Sequence, residues 1–358
     1  MMVKVGFVAS PLTARSGVYR SARELVSAGR DESLDWQLLL GVSAGAPGGR
    51  PADDPEWIVE EHAEPSGLGG VRAQSRRVRD FVEERDLDVV VSLIPQTDMA
   101  LAIGKTPWIA FTRGLPWPAA GEAKLGKRVA WRTLERAALR RAREVWATTG
   151  VLRDDLDLRS PVEIVPAGIA PLERSWDGAG ARTNAVWAAR FDEDKRPHLF
   201  ATALQDSGIR GRMFGTGHLQ REIAASAPSN VTIEGWAPPS ALWEDAFVYV
   251  GTSSREAYGR SAVEAAMNGV PVVLASSFGC ADQLVSTDEF KRLFVLESAD
   301  PAAWREAVQR LRDDEDLRRR YSDHLVSNAR ALTIAASAKA VARRLQELQD
   351  RGVLKARR

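Results

Sequence analysis

The chain has 358 residues, 44% hydrophobic and 27% charged, which is too long for one compact core and suits two folded domains without a long disordered stretch. Forty-nine basic against 48 acidic residues leave a net charge of +1, so no global field drives binding to nucleic acid or membrane, and any such case is regional. A single cysteine, Cys280, excludes an internal disulfide, and four histidines without ligand spacing offer no zinc site, which fits a reducing cytoplasm.

The apolar start, Val3 to Ala9, is too short for a signal segment, and no run has the length needed to span a bilayer, so neither secretion by that route nor embedding is expected. Short β-rich runs then alternate with helical patterns. Val3 to Ala9, Trp36 to Val42, Asp88 to Ile94, Trp108 to Thr112, Val145 to Thr148 and Val162 to Val165 read as strands. Val18 to Ala28, Gly70 to Arg85 and Glu122 to Ala142 read as amphipathic helices between them. That alternation builds a parallel sheet, so residues 1–169 form one Rossmann-like domain. Residues 170–183, with Pro171 and Gly178-Ala179-Gly180, lose the periodicity and read as a linker. A second α/β series follows over 184–332, with strands at Ala185 to Ala189, Arg212 to Phe214, Val231 to Ile233, Phe247 to Gly251, Pro271 to Ala275 and Leu293 to Leu296. Helical patterns fill the chain after Asp300, and the helix in 333–358 is expected to pack back towards the N-terminal domain.

Open parallel sheets bind ligands at the carboxyl ends of their strands, and two such sheets facing across a cleft accommodate two substrates. The richest such place is Gly251 to Val273, where Glu256 and Glu264 stand eight positions apart around Gly259. Gly259 permits a sharp turn, and the helix starting at Arg260 or Ser261 aims free N–H groups and its positive end at the loop, a seat for a diphosphate. Glu264, one turn in, suits two vicinal ribose hydroxyls, and Glu256 is placed for a sugar. Either glutamate alone reads more simply as a solvated helix-end charge.

The residues Glu256, Tyr258, Gly259, Glu264, Ala265, Gly269, Pro271 and Val272 together resemble the donor-site motif of retaining glycosyltransferases of family 4. The resemblance implies a GT-B fold of two facing Rossmann-like domains. It implies that Glu264 grips the ribose, that Glu256 contacts the transferred sugar, and that the backbone from Gly259 through Arg260 to Ser261 meets phosphate and sugar. Upstream, Arg190 at a strand end and Lys195 five residues later look like the family's pair of phosphate-neutralising cations. Two fixed cations there stabilise a departing diphosphate in the role often given to a metal, so no metal or other cofactor is expected beside the nucleotide-sugar co-substrate. Ala189 departs from the family's glycine.

Gly215 and Trp236 follow the next two strands, where the family has a glycine-rich turn and a base-contacting loop, although Trp236 alone reads more simply as core. Ser16-Gly17 resembles the family's glycine pair in the first strand-to-helix loop, with Gly17 approaching the diphosphate. Arg113 stands where many members carry a histidine that contacts the donor sugar, and it suits an anionic sugar or acceptor as well as a plain loop charge. A nucleotide-sugar epimerase or hydrolase, a pyridoxal-dependent phosphorylase, or a non-catalytic nucleotide-sugar-binding protein would share the same two-domain plan. Product formation that requires an acceptor separates these from a transferase.

Lys124, Arg128, Arg132, Arg136 and Arg140 recur every four residues. At about 100° per residue they form a slowly drifting stripe, with Trp131, Leu134 and Ala138 grouped on another side to pack against the sheet. Such a cationic face suits acidic lipid headgroups, at the inner membrane face, or a nucleic-acid backbone, although it reads more simply as the solvated side of an arginine-rich helix.

Overall fold

The computed structural model describes residues 3–15, 17–64, 68–115, 124–180 and 182–355. The chain divides into two compact units, one made of Met1–Ala170 with Ile334–Arg358 and the other of Pro171–Thr333.

In the first unit the elements are β1 (Val5–Leu12), α1 (Val18–Asp31), β2 (Trp36–Val42), β3 (Ile58–His62), α2 (Leu68–Glu84), β4 (Val89–Ser92), α3 (Pro95–Ala102), β5 (Trp108–Thr112), α4 (Leu125–Leu139), β6 (Val145–Ala147), α5 (Gly150–Leu156) and β7 (Val162–Ile164). They build a seven-stranded sheet in the order β3-β2-β1-β4-β5-β6-β7, parallel at every pairing. β1, β4, β5 and β6 are buried along their whole length, which is why they read as unbroken apolar runs. β3 was not expected from the sequence. As an edge strand it carries Glu60, Glu61 and His62, and that charge disguises it.

The second unit contains β8 (Asn184–Ala188), α6 (Pro197–Leu204), β9 (Arg210–Phe214), α7 (Gln220–Ser226), β10 (Val231–Gly235), α8 (Pro239–Leu242), β11 (Ala246–Gly251), α9 (Arg260–Met267), β12 (Val272–Ala275), α10 (Ala281–Leu284), α11 (Asp288–Phe294), β13 (Val295–Leu296), α12 (Pro301–Asp313) and α13 (Glu315–Ala329). Its six strands run in the order β10-β9-β8-β11-β12-β13, again all parallel. Only the second half of the last expected strand is strand: α11 extends to Phe294 because Phe290 and Phe294, one turn apart, both pack on Tyr321 of α13. Asp300 and Asp314 accept the N–H groups of Ala302 and Leu317 at the starts of α12 and α13, the capping that fixes where each begins.

One further difference has a local cause. The stretch expected as a linker belongs to the second unit: the Ser175 and Trp176 N–H groups both donate to the Asn268 carbonyl, and Trp176 is buried. The final helix, α14 (Ile334–Asp350), belongs to the first unit. Its Ile334, Ala338, Val341, Leu345 and Leu348 join Tyr19, Ala22, Leu25 and Val26 of α1 in one apolar core. Arg344 clamps it there by pairing with Glu144 and Glu163.

Candidate functional site

The order of the second sheet reverses direction between β8 and β11. At such a switch point the loops leaving neighbouring strands diverge and open a crevice at the carboxyl edge. The two loops that diverge here are Ala189 to Arg196 after β8 and Thr252 to Gly259 after β11. They carry Arg190 and Lys195 on one side, and Glu256, Tyr258 and Gly259 on the other.

The loops are fastened to each other. The Trp187 indole N–H donates to Thr252 Oγ1 at 3.0 Å, and that hydroxyl lies 2.7 Å from the Lys195 carbonyl, to which it donates. The Ser254 N–H donates to the Asp194 carbonyl at 2.7 Å. Lys195, buried on a 3-10 turn, places Nζ 3.0 Å from Glu256 Oε2 and 3.1 Å from Asp194 Oδ2. Burial works against its charge, but Glu256 and then Asp194 outweigh that and hold the ammonium above the ordinary lysine range. Lys195 is therefore a fixed cation. Arg190 pairs with Asp192, yet its side chain is 66% exposed, and an exposed pair is worth only about 0–1 kcal/mol. It is free to turn to a stronger anion.

The glycine-rich turn after β9 is stacked directly on the Arg190 loop. The Ala189 N–H donates to the Phe214 carbonyl, the Phe191 N–H to the Thr216 carbonyl, the Leu219 N–H to the Phe191 carbonyl and the Gly215 N–H to the Gly235 carbonyl. Gly215 has φ +130°, and a Cβ there would collide with the Ala189 carbonyl oxygen. Beside that turn, His218 touches Glu193 and Asp192, and those contacts, Glu193 foremost, outweigh burial and raise its pKa. Among the residues that sequence reasoning missed are Thr252 and Asp194, whose hydrogen bonds to Lys195 and Ser254 span 57 and 60 residues, a distance that no local pattern reports.

Gly259 has φ +97° and caps α9, whose first turn holds Arg260 and Ser261. The Ser261 hydroxyl donates to the Ala188 carbonyl at 3.3 Å, tying the helix start to the end of β8. Glu264 is buried one turn later. The Glu256 and Tyr258 carbonyls accept the N–H groups of Gly279 and Cys280, which strap the loop from behind. Cys280 is buried, and burial pushes its thiol up. Trp236, with core as its simpler sequence reading, is 73% exposed just after β10.

The structure thus brings Arg190, Lys195, Gly215, Glu256, Tyr258, Gly259, Arg260, Ser261 and Glu264 to one edge of one sheet. Gly17 and Arg113 belong to the first unit, after β1 and β5. Gly17 caps α1 with φ +48° and open space where a Cβ would stand, while Ser16 lies outside the described residues. The Arg113 guanidinium lies 5.0 Å from the centre of the Phe111 ring. Replacing the two glycines should separate their roles. Gly215→Ala should cost about 3 kcal/mol or more in urea unfolding, from strain plus collision, and Gly17→Ala only about 1 kcal/mol from its backbone angle. Equal losses would contradict the stacked-turn geometry.

The stripe on α4 needs correction. Ala138 is buried and Trp131 partly so, but Leu134 is 57% exposed and does not pack on the sheet. Arg136 turns aside to the Leu156 carbonyl and Asp157, and Arg132 pairs with the same Asp157. The buried side of α4 is instead Glu135, Ala138 and Leu139.

Residues 182–325 match the family described as glycosyl transferases group 1, and residues 16–168 match the glycosyl transferase 4-like domain. No curated protein sequence matches the chain. Among solved structures, sucrose-phosphate synthase from Thermosynechococcus elongatus aligns over 98% of this chain and 100% of its own with a TM-score of 0.79 at 14% identity. HepE of Anabaena, solved with UDP and glucose, aligns over 97% and 100% with a TM-score of 0.71 at 15% identity. The pneumococcal O-GlcNAc transferase GtfA, solved with UDP and GlcNAc, aligns over 97% and 99% with a TM-score of 0.68 at 12% identity. With each parallel-sheet half matched to its own glycosyltransferase domain, the chain belongs to the group 1, family 4-like glycosyltransferases of the GT-B fold.

Proposed function

We propose that this glycosyltransferase moves a sugar from a nucleoside diphosphate sugar to an acceptor hydroxyl, with retention of configuration and without a metal ion. The observation that carries the reading is the lacing of two cations, Arg190 and Lys195, to the Glu256–Gly259 loop at the switch point between β8 and β11. In that arrangement Glu264 binds the ribose and the start of α9, at Gly259, Arg260 and Ser261, receives the diphosphate. Exposed Trp236 offers a flat face to the base.

In the reaction the bond from the anomeric carbon to the diphosphate oxygen breaks, and its electron pair goes to the phosphate. Arg190 and Lys195 stabilise the charge that builds there. The acceptor oxygen bonds to the same face of the sugar, and its proton passes to the departing phosphate oxygen. Glu256, held by Lys195, orients the sugar.

Two neighbours of similar fold were solved with UDP, so uridine donors head the panel to test. A donor at a hundred times its Kd adds about 2.7 kcal/mol of stability, which should raise the melting temperature by roughly 5–10 °C. Chelation should leave turnover unchanged. A panel in which no nucleoside diphosphate sugar stabilises the protein, or turnover that depends wholly on added divalent ion, would overturn the corresponding part of the reading.

A further inference from the structure

The loop after β8 and the turn after β9 bring Arg190, Asp192, Glu193 and His218 together. Gly217 stands so close to Phe191 that a Cβ there would collide with its backbone, and the two segments exchange hydrogen bonds at Phe191, Thr216 and Leu219. That stacking holds His218 against two carboxylates. Its Nδ1 lies 3.2 Å from Asp192 Oδ1, and its Nε2 lies 2.8 Å from Glu193 Oε1. A carboxylate oxygen only accepts, and a neutral imidazole donates from one nitrogen alone. Both contacts are therefore hydrogen bonds only in the imidazolium. Asp192 in turn serves two cations, because its other oxygen, Oδ2, pairs with Arg190. On the far side α7 carries Arg221 and Glu222, and Glu222 pairs with His198 at 3.1 Å.

We propose that His218 is a positioning residue for donor binding: as the imidazolium it keeps Asp192 when Arg190 turns to the diphosphate, so that donor binding draws a proton onto the protein. The inference rests on the assignment of Arg190 to the leaving diphosphate. In the free enzyme the Asp192 carboxylate is shared between two cations. Once Arg190 has turned away, that carboxylate acts on His218 alone, and the diphosphate adds negative charge nearby. Both changes favour the charged ring. Glu193, foremost, and Asp192 already hold it above the ordinary histidine range against burial, and bound donor raises it further. The linkage fixes the sign. Donor binds most tightly at a pH below the free ring's own range, and affinity falls as pH rises through the value that the ring has in the complex. A sugar nucleotide has both phosphates esterified and does not itself titrate in this range.

Proton NMR titration of the full chain, without ligand, reads the cluster directly. The His218 ring signal, identified by its loss in His218→Gln, should titrate above the ordinary histidine range, higher again in Arg190→Ala and lower in Asp192→Asn. Calorimetry with UDP-glucose in buffers of different ionisation enthalpy should show proton uptake by the wild type and none by His218→Gln. The wild-type Kd should rise roughly fivefold between about pH 6 and about pH 9. His218→Lys, charged across that range, should keep the low-pH affinity throughout, and His218→Gln the high-pH affinity. An Asp192→Asn variant that takes up the same proton as wild type would place the imidazolium on the diphosphate itself and overturn the proposal. So would a His218 titration unmoved in Arg190→Ala, or a Kd that varies with pH as much in His218→Gln as in wild type. If UDP-glucose binds at no pH, the uridine-donor reading fails, whereas the ligand-free titrations still decide whether Arg190 and His218 share Asp192.

Discussion

Arg190→Ala is expected to lower kcat about a hundredfold or more at saturating donor, by comparison with other lost electrostatic contacts to a developing charge, with no change in melting temperature. The side chain is exposed and its Asp192 pair is a surface contact, so the fold does not depend on it. Lys195→Ala should cost as much in turnover and also destabilise the protein by several kcal/mol, roughly the 3–5 kcal/mol of a broken buried pair less an allowance for solvent at Glu256. It leaves Glu256 and Asp194 facing each other without their cation. Lys195→Ala combined with Glu256→Gln should recover part of that stability and none of the turnover. Near-normal kcat in either single variant removes that residue from the reaction. Lys195→Ala with an unchanged unfolding midpoint would mean the ion pair is not as described.

Glu264→Ala should raise the Kd for the free nucleoside diphosphate by roughly a hundredfold or more. Two charge-assisted hydrogen bonds to the ribose hydroxyls, each worth about 1.5–3 kcal/mol, are lost together. The effect should fall mainly on KM, since the ribose is held alike before and during transfer. Glu264→Gln retains one acceptor and the side-chain volume at this buried position, so it should lie between the two and keep the wild-type melting temperature. Calorimetry that finds the alanine variant binding nucleoside diphosphate as tightly as wild type would exclude Glu264 from the site.

What could be read in the sequence follows from what is local. The central strands are buried on both faces and announce themselves as apolar runs; the motif from Glu256 to Val272 is continuous in sequence, so its turn and helix were legible. β3 was hidden because Glu60 is charged yet buried, satisfied by Arg15 and Tyr19, which are distant in sequence. The same limit hid Thr252 and Asp194. On α4 the fourfold spacing of the basic residues was real, but spacing gives only relative angles. Which side turns inward is set by the packing of Glu135, Ala138 and Leu139, and that left Leu134, expected to pack on the sheet, exposed.

The return of α14 to the first unit has a consequence for synthesis. Until residue 334 leaves the ribosome, the apolar side of α1 that carries Leu25 and Val26 lacks the partner that completes its core. At about 5–20 residues per second the whole second unit takes roughly ten to thirty seconds to translate. Through that interval the half made first waits, incomplete, for the last helix. Translation arrested near residue 333 should therefore yield a product with that side of α1 uncovered, which chaperones retain and which aggregates on release.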